Sequence, residues 1–195
     1  FGQDDEVDPD WASTMLAMLD AHPDAAMAFC RRRFVYDSPE AEEQLSDFFS
    51  VRYRAWLDAF YAGISERVET ETMVRAAMVH DFEINLIGEP AFVIYRHDHA
   101  SIRGGYDPRM NQMIDWEFCL RMVASGPILH CARELGSFHL RASGTSADNA
   151  KSIERHYREY DYLLDLVRAR FARWLSDDDE RRLRERQEAA RKARP

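Results

Sequence analysis

The stretch over residues 104–140, GGYDPRMNQMIDWEFCLRMVASGPILHCARELGSFHL, constrains the fold more than any other. A double glycine breaks the chain, MIDWEFCLRMVASG has helical periodicity and stops at Gly126, and PILHCARELGSFHL supplies one or two apolar strands. A helix running into a buried strand calls for a layered α/β domain, with helices covering the sheet.

The remaining segments extend this pattern. Asp8 is a candidate helix cap and Pro9 the first position of a helix through WASTMLAML to Asp20, which AHPD ends. AAMAFCRRRFVYD reads as a strand in spite of its basic centre. Ser38 caps and Pro39 opens a second helix that continues through VRYRAWLDAFYAGI, and ETETMVRAAMVHDF gives a third, so residues 40–81 read as a long helical insertion. NLIGEPAFVIYR is a turn and a buried strand. Residues 146–174 are helical again, with an aromatic stripe at Tyr157, Tyr160, Tyr162 and Phe171. The tail has acids before bases and holds seven Arg or Lys and two Glu over residues 181–195. It reads as a solvated terminal helix without an apolar face, with contact to anionic lipid headgroups as the sharper alternative.

Bulk composition sets the function classes. With 46% hydrophobic and 31% charged residues the chain is that of a soluble globular protein, and no apolar run is long enough to cross a bilayer. A net charge of −9 argues against nucleic acid as a partner. Cys30, Cys119 and Cys131 are odd in number, widely spaced and set among apolar residues, so they read as small core residues in a reducing, cytoplasmic setting.

Several clusters carry chemistry. Asp4 and Asp5 are adjacent carboxylates where a strand opens onto a loop, an oxygen-only donor pair suited to Mg²⁺ or Mn²⁺ and also common in solvated loops. Asp115 stands where a helix begins, either as a cap or as a carboxylate base, and the helix N-terminus is expected to keep its pKa low. Glu117 and Arg121, four residues apart, read as a surface pair. His97 and His99 form an HxH that chelates zinc when it lies on a strand. His80-Asp81 would serve a metal phosphohydrolase, although only His22 lies upstream as a further histidine. Gly88, Pro90, Gly104 and Gly105 shape loops in front of the Asp115 helix.

Taken in order, four segments resemble family 2 glycosyltransferases. QDDEVDPDWASTMLAMLDAHPDAA is similar to the family's acidic metal segment, NLIGEPAFVIYR to its Asn-x-x-Gly-x-Pro loop and strand, GGYDPRMNQMIDWEFCLRMVASGPI to its Gly-Gly-aromatic-Asp loop and base helix, and LGSFHLRASGTS to its closing strand. The resemblance implies the C-terminal part of a GT-A, doubly wound α/β domain, helix-rich and with C-terminal helices. Residues 1–145 would be the metal-site and acceptor-binding part, and residues 146–195 the C-terminal helices. Phe1 is then expected to be the cut edge of a longer enzyme whose nucleotide-binding half is missing, and the chain alone is expected neither to bind a sugar nucleotide tightly nor to turn it over.

The resemblance also implies roles. Asp4 matches the metal-binding carboxylate, Asp5 would reach the metal, a water or the ribose, and His139 would reach the metal or phosphate. Asp115 matches the base that takes the acceptor hydroxyl proton during inverting displacement. Gly88, Glu89, Pro90, Gly104, Gly105, Trp116, Glu117, Arg121 and Arg141 fall in donor- or acceptor-binding segments. The implied partners are a nucleotide-diphosphate sugar, a glycan or lipid-linked acceptor and a divalent cation, Mn²⁺ or Mg²⁺. Three departures stand out: the first acidic position is Gly2, the residue before Asp115 is Ile114, and His139 and Arg141 stand where Arg and His are commoner. Two other readings remain, a non-catalytic helical binding or scaffold module and the His80-Asp81 phosphohydrolase.

Overall fold

The structure, a computed structural model, describes residues 4–102, 104–143 and 152–193. Gly2 and the Ser/Thr-rich loop after Ser143 lie outside the described residues.

Two strands organise the sheet. β2 (Met27–Tyr36) and β5 (Ile128–Leu140) run parallel, from Met27 opposite Ile128 to Tyr36 opposite Leu140. Their register shifts between Cys30 and Arg33, where Ala132, Arg133 and Glu134 of β5 turn outward. β4 (Val93–Tyr95) pairs antiparallel with the other edge of β2. The free edge of β5 takes two short antiparallel strands, β3 (Arg67–Val68) opposite Leu129 and Ile128, and β1 (Glu6–Val7) opposite Ser137 and Gly136. A Cβ on Gly136 would stand 2.5 Å from the Glu6 carbonyl oxygen and 2.6 Å from the Phe92 ring. Glycine there lets β1 approach closely, which brings Asp4 and Asp5 to the sheet.

Helices cover both faces. α1 (Trp11–Ala21) packs Trp11, Met15 and Leu19 against Ala28, Cys30, Leu129, Cys131 and Leu135. The alternate residues Met27, Phe29 and Ile128 face a larger core built with the other helices. These are α2 (Pro39–Ser46), a π-helical turn (Asp47–Tyr53), α3 (Arg54–Ala62), α4 (Thr70–Met78), α5 (His97–Ile102), α6 (Ile114–Val123), α7 (Ile153–Phe171) and α8 (Asp177–Lys192). The molecule is thus a helix-rich mixed α/β structure, as the loop–helix–strand pattern implies. All three cysteines are buried and free, and burial pushes the Cys30 thiol up to about 12.

The three arginines of β2 are tolerated because each meets an acid: Arg31 with Asp58 at 3.2 Å, Arg32 with Glu89 at 2.6 Å and Arg33 with Asp8 at 2.5 Å. This corrects one expectation. Asp8 is not the α1 cap, because the helix starts at Trp11 and the Asp8 carboxylate is engaged by Arg33.

One further expectation is refined and one is corrected. The two helical runs read over residues 40–81 are present, Ser38 capping α2 through the Ala41 N–H and the first run ending at Gly63, but a short strand, β3, lies between them. The tail is not a solvated helix without an apolar face. A Ser176–Asp179 capping box starts α8, and Leu183 and Ala190 are buried in the main core.

Candidate functional site

α6 is held at its start and along its length. Asn111, Gln112 and Met113 donate their backbone N–H groups to one carboxylate oxygen of buried Glu159, at 2.9, 2.8 and 3.0 Å. Trp116 Nε1 donates to the Phe82 carbonyl at 2.7 Å. Glu117 and Arg121 pair at 2.7 Å, but they are buried, not on the surface as the spacing alone predicts. The Arg121 guanidinium also donates to the Gly105 carbonyl, so the pair ties the glycine loop to the helix.

Asp115, in the first turn of α6, faces a cleft of about 560 Å³ lined by Trp11, Pro90, Val93, Ile94, Tyr95, Tyr106 and Ile114. Its carboxyl is raised to about 7, first by burial and then by the charges of Glu89 and Asp5. The low pKa expected from the helix N-terminus is therefore corrected, because desolvation and two carboxylates outweigh the dipole. Asp5 is raised to about 6 by burial and by Glu89, against the lowering effect of the His139 N–H. Asp5, Glu89 and Asp115, from three separate segments, share one electrostatic neighbourhood.

Glu89 owes its position to a buried arginine. The Arg32 side chain is fully buried, donates to the Tyr53 hydroxyl at 2.7 Å, and meets Glu89 across 2.6 Å. The Tyr53 hydroxyl donates onward to the Asn85 carbonyl, and the Asn85 side chain accepts from the Ile87 and Gly88 N–H groups. Gly88 has φ +118°, and a Cβ there would stand 2.6 Å from Arg32 Nη1. The Asn-x-x-Gly-Glu-Pro loop is thus a frame that carries Pro90 to the cleft wall and Glu89 into the electrostatic reach of Asp115. Arg96, which ends the same segment, donates to the Leu19 and Ala25 carbonyls and fixes the end of α1.

A second cluster forms where β1, β2 and β5 end together. Arg141 bridges Asp4 at 2.7 Å and Asp37 at 2.6 Å. His139 Nδ1 lies 2.7 Å from Asp37 Oδ1, and its backbone N–H donates to Asp5. Arg141 and His139 hold the Asp37 carboxyl below the usual carboxylate range. His139 Nε2 is buried without a hydrogen bond, 3.9 Å from Glu6. Oxygen donors beside a bare imidazole nitrogen suit a hard divalent cation in type. Among the described residues, no three His, Cys, Asp or Glu side chains converge on one point.

The other sequence candidates lie elsewhere. His97 and His99 are on helix α5, not on a strand. His80 rests against Trp56, and buried Asp81 is gripped by Arg182 and Arg186, leaving that pair committed to packing and ion pairing. A wider groove of about 810 Å³ between α7 and α8 is lined almost entirely by charged residues. No helix among the described residues is long and apolar enough to cross a membrane.

Three residues of the site were not singled out by the sequence: Arg32, Asp37 and Glu159. Arg32 left a signal, a cation at an inward strand position that demands a buried acid. Asp37 and Glu159 left none, because polar residues of their kind are ordinary at strand ends and on helices.

No family model matches the chain, and no solved structure does. Among curated proteins it is similar to "Uncharacterized protein MT1568" of Mycobacterium tuberculosis (strain CDC 1551 / Oshkosh), with 25% identity over 156 residues, 80% of this chain and 43% of that protein. The chain spans less than half the length of that relative.

Proposed function

We propose that this chain is the metal-site and acceptor-binding part of an inverting glycosyltransferase of the family 2, GT-A type. It would act in the cytoplasm, moving a sugar from a nucleotide-diphosphate donor to a hydroxyl of a glycan or lipid-linked glycan. The observation that carries the reading is that Asp115, on the wall of an aromatic-lined cleft, feels the charges of Glu89 and of Asp5, although more than eighty residues separate Asp5 from the other two.

In this reading the acceptor enters between Trp11, Tyr95 and Tyr106, whose faces suit a sugar ring. Asp115 accepts the hydroxyl proton as the acceptor oxygen bonds to the anomeric carbon, and the departing diphosphate leaves with the electron pair of the broken bond. A carboxylate with a pKa near 7 is well matched to that step at neutral pH. Asp4, Asp5 and His139 Nε2 are the donors this reading assigns to a divalent cation, which would supply charge neutralisation for the diphosphate. They do not converge on one point here, and Arg141 would have to release Asp4 for them to do so. Arg141 and Asp37 set the positions of Asp4 and His139.

A non-catalytic helical binding module is the second reading, favoured by one observation, that Arg141 already neutralises Asp4. The full natural protein, incubated with a panel of sugar nucleotides, Mn²⁺ and glycan acceptors, separates the two by mass spectrometry. Transfer that Asp115→Asn lowers by roughly a thousandfold supports the enzyme, in line with loss of an essential base. Absence of transfer and of donor binding across the panel favours the binding module.

A further inference from the structure

We infer that Glu159, on α7, is a positioning residue for Asp115, and that α7 belongs to the machinery of the cleft. This rests on the reading of Asp115 as the base. The first N–H groups of a helix have no partner within it, and something must satisfy them. At α6 the local sequence offers no cap: Met113 occupies that position and makes no side-chain hydrogen bond to the helix start. One Glu159 oxygen accepts instead the N–H of Met113 itself, 46 residues away, and those of Asn111 and Gln112 just before the helix, so it fixes the chain where it enters α6.

A second grip reinforces the first. The Tyr162 hydroxyl donates to Asp107 at 2.9 Å, and the Arg109 guanidinium stacks over the Tyr162 ring at 4.5 Å while pairing with Asp107. Glu159 and Tyr162, three residues apart, therefore hold both ends of the segment from Asp107 to Met113. That segment leads from Tyr106, a wall of the cleft, to Asp115, its carboxylate. Without Glu159 the segment entering α6 loses the acceptor that fixes it, and Asp115, two residues beyond Met113, is free to swing into water.

The test reads the Asp115 carboxyl directly by ¹³C NMR. Its titration also senses Asp5, Glu89 and Tyr106 from neighbouring segments and Cys119 from the next turn of α6. In the wild-type chain the midpoint is expected at about 7. Glu159→Met, which keeps the volume and removes the acceptor, should lower it by about one unit or more toward the ordinary value near 4, as water reaches the carboxylate. Glu159→Gln, which keeps an acceptor oxygen, should restore part of the shift. Leu164→Ala, a core truncation on the same helix, should lower Tm and leave the midpoint in place.

An unchanged midpoint in Glu159→Met overturns the inference. Should that variant not fold, hydrogen exchange in the wild type decides: slow exchange of the Asn111, Gln112 and Met113 amides supports the clamp, and exchange at the rate of open loop overturns it. In the full protein the same variant should lower kcat roughly tenfold with little change in KM for the donor. A wild type without transfer activity refutes the glycosyltransferase reading, while the titration still decides the role of Glu159.

Discussion

An aspartate in the first turn of a helix ordinarily titrates low, because the helix N-terminus stabilises its charge. Asp115 does the opposite, since the cleft desolvates it and faces it with Glu89 and Asp5. The sign of the consequence for stability is fixed. The folded chain holds this proton more tightly than the unfolded chain, so the favourable contribution is complete below about pH 4 and is lost as pH rises through about 7. Asp5, raised to about 6, adds in the same direction. Asp115→Asn should therefore match the wild type in unfolding free energy near about pH 3.5 and exceed it above about pH 7.5, by roughly 1–3 kcal/mol after allowance for partial exposure. A constant difference across that range would contradict the burial of the carboxyl. Gly88 gives a second residue-scale expectation. Gly88→Ala combines a left-handed φ with a Cβ 2.6 Å from Arg32, and urea unfolding should show a loss of about 2 kcal/mol or more. Neither the Asp115 environment nor the Gly88–Arg32 contact was legible in the sequence, because both depend on segments that only the fold brings together.

Elements whose ends carry local chemistry were the easiest to read. Ser38 and Pro39 start α2 as their types require, and Gly126 ends the turn between α6 and β5. β2 was recognisable from its apolar ends, but the acids that meet Arg31, Arg32 and Arg33 come from a helix and two loops. α8 was misread for a related reason. Its sparse apolar positions, Leu183 and Ala190, form a face only when α7 and Asp81 stand opposite. Arg182 and Arg186 both reach the Asp81 carboxylate, which is 2% exposed and lies in a turn where Asp81 and Phe82 have φ of 53° and 63°. Replacing both arginines by Met leaves that charge uncompensated, and the double variant should lose about 3 kcal/mol in chemical denaturation. A loss of a few tenths, as for exposed ion pairs, would mean that α8 is held by Leu183 and Ala190 alone.

At the scale of the whole molecule, the mixed sheet brings two sets of residues to one end: Asp4, Asp5, Asp37, His139 and Arg141 at the strand ends, and Glu89 and Asp115 at the cleft beside them. The sequence singles out all of these residues but Asp37 as candidates. It gives no sign that Arg141 bridges Asp4, since a salt bridge between residues so far apart along the chain has no local signature. The central claim is that Asp115 is the base of a sugar transfer, and its most direct test is the pH dependence of kcat/KM for the full protein with its donor and Mn²⁺. The rate should rise with pH to a plateau as the Asp115 carboxyl ionises in the wild type, with no such limb in Asp115→Asn. A profile flat from about pH 5 to 8, or an Asp115→Asn variant as active as the wild type, would contradict it.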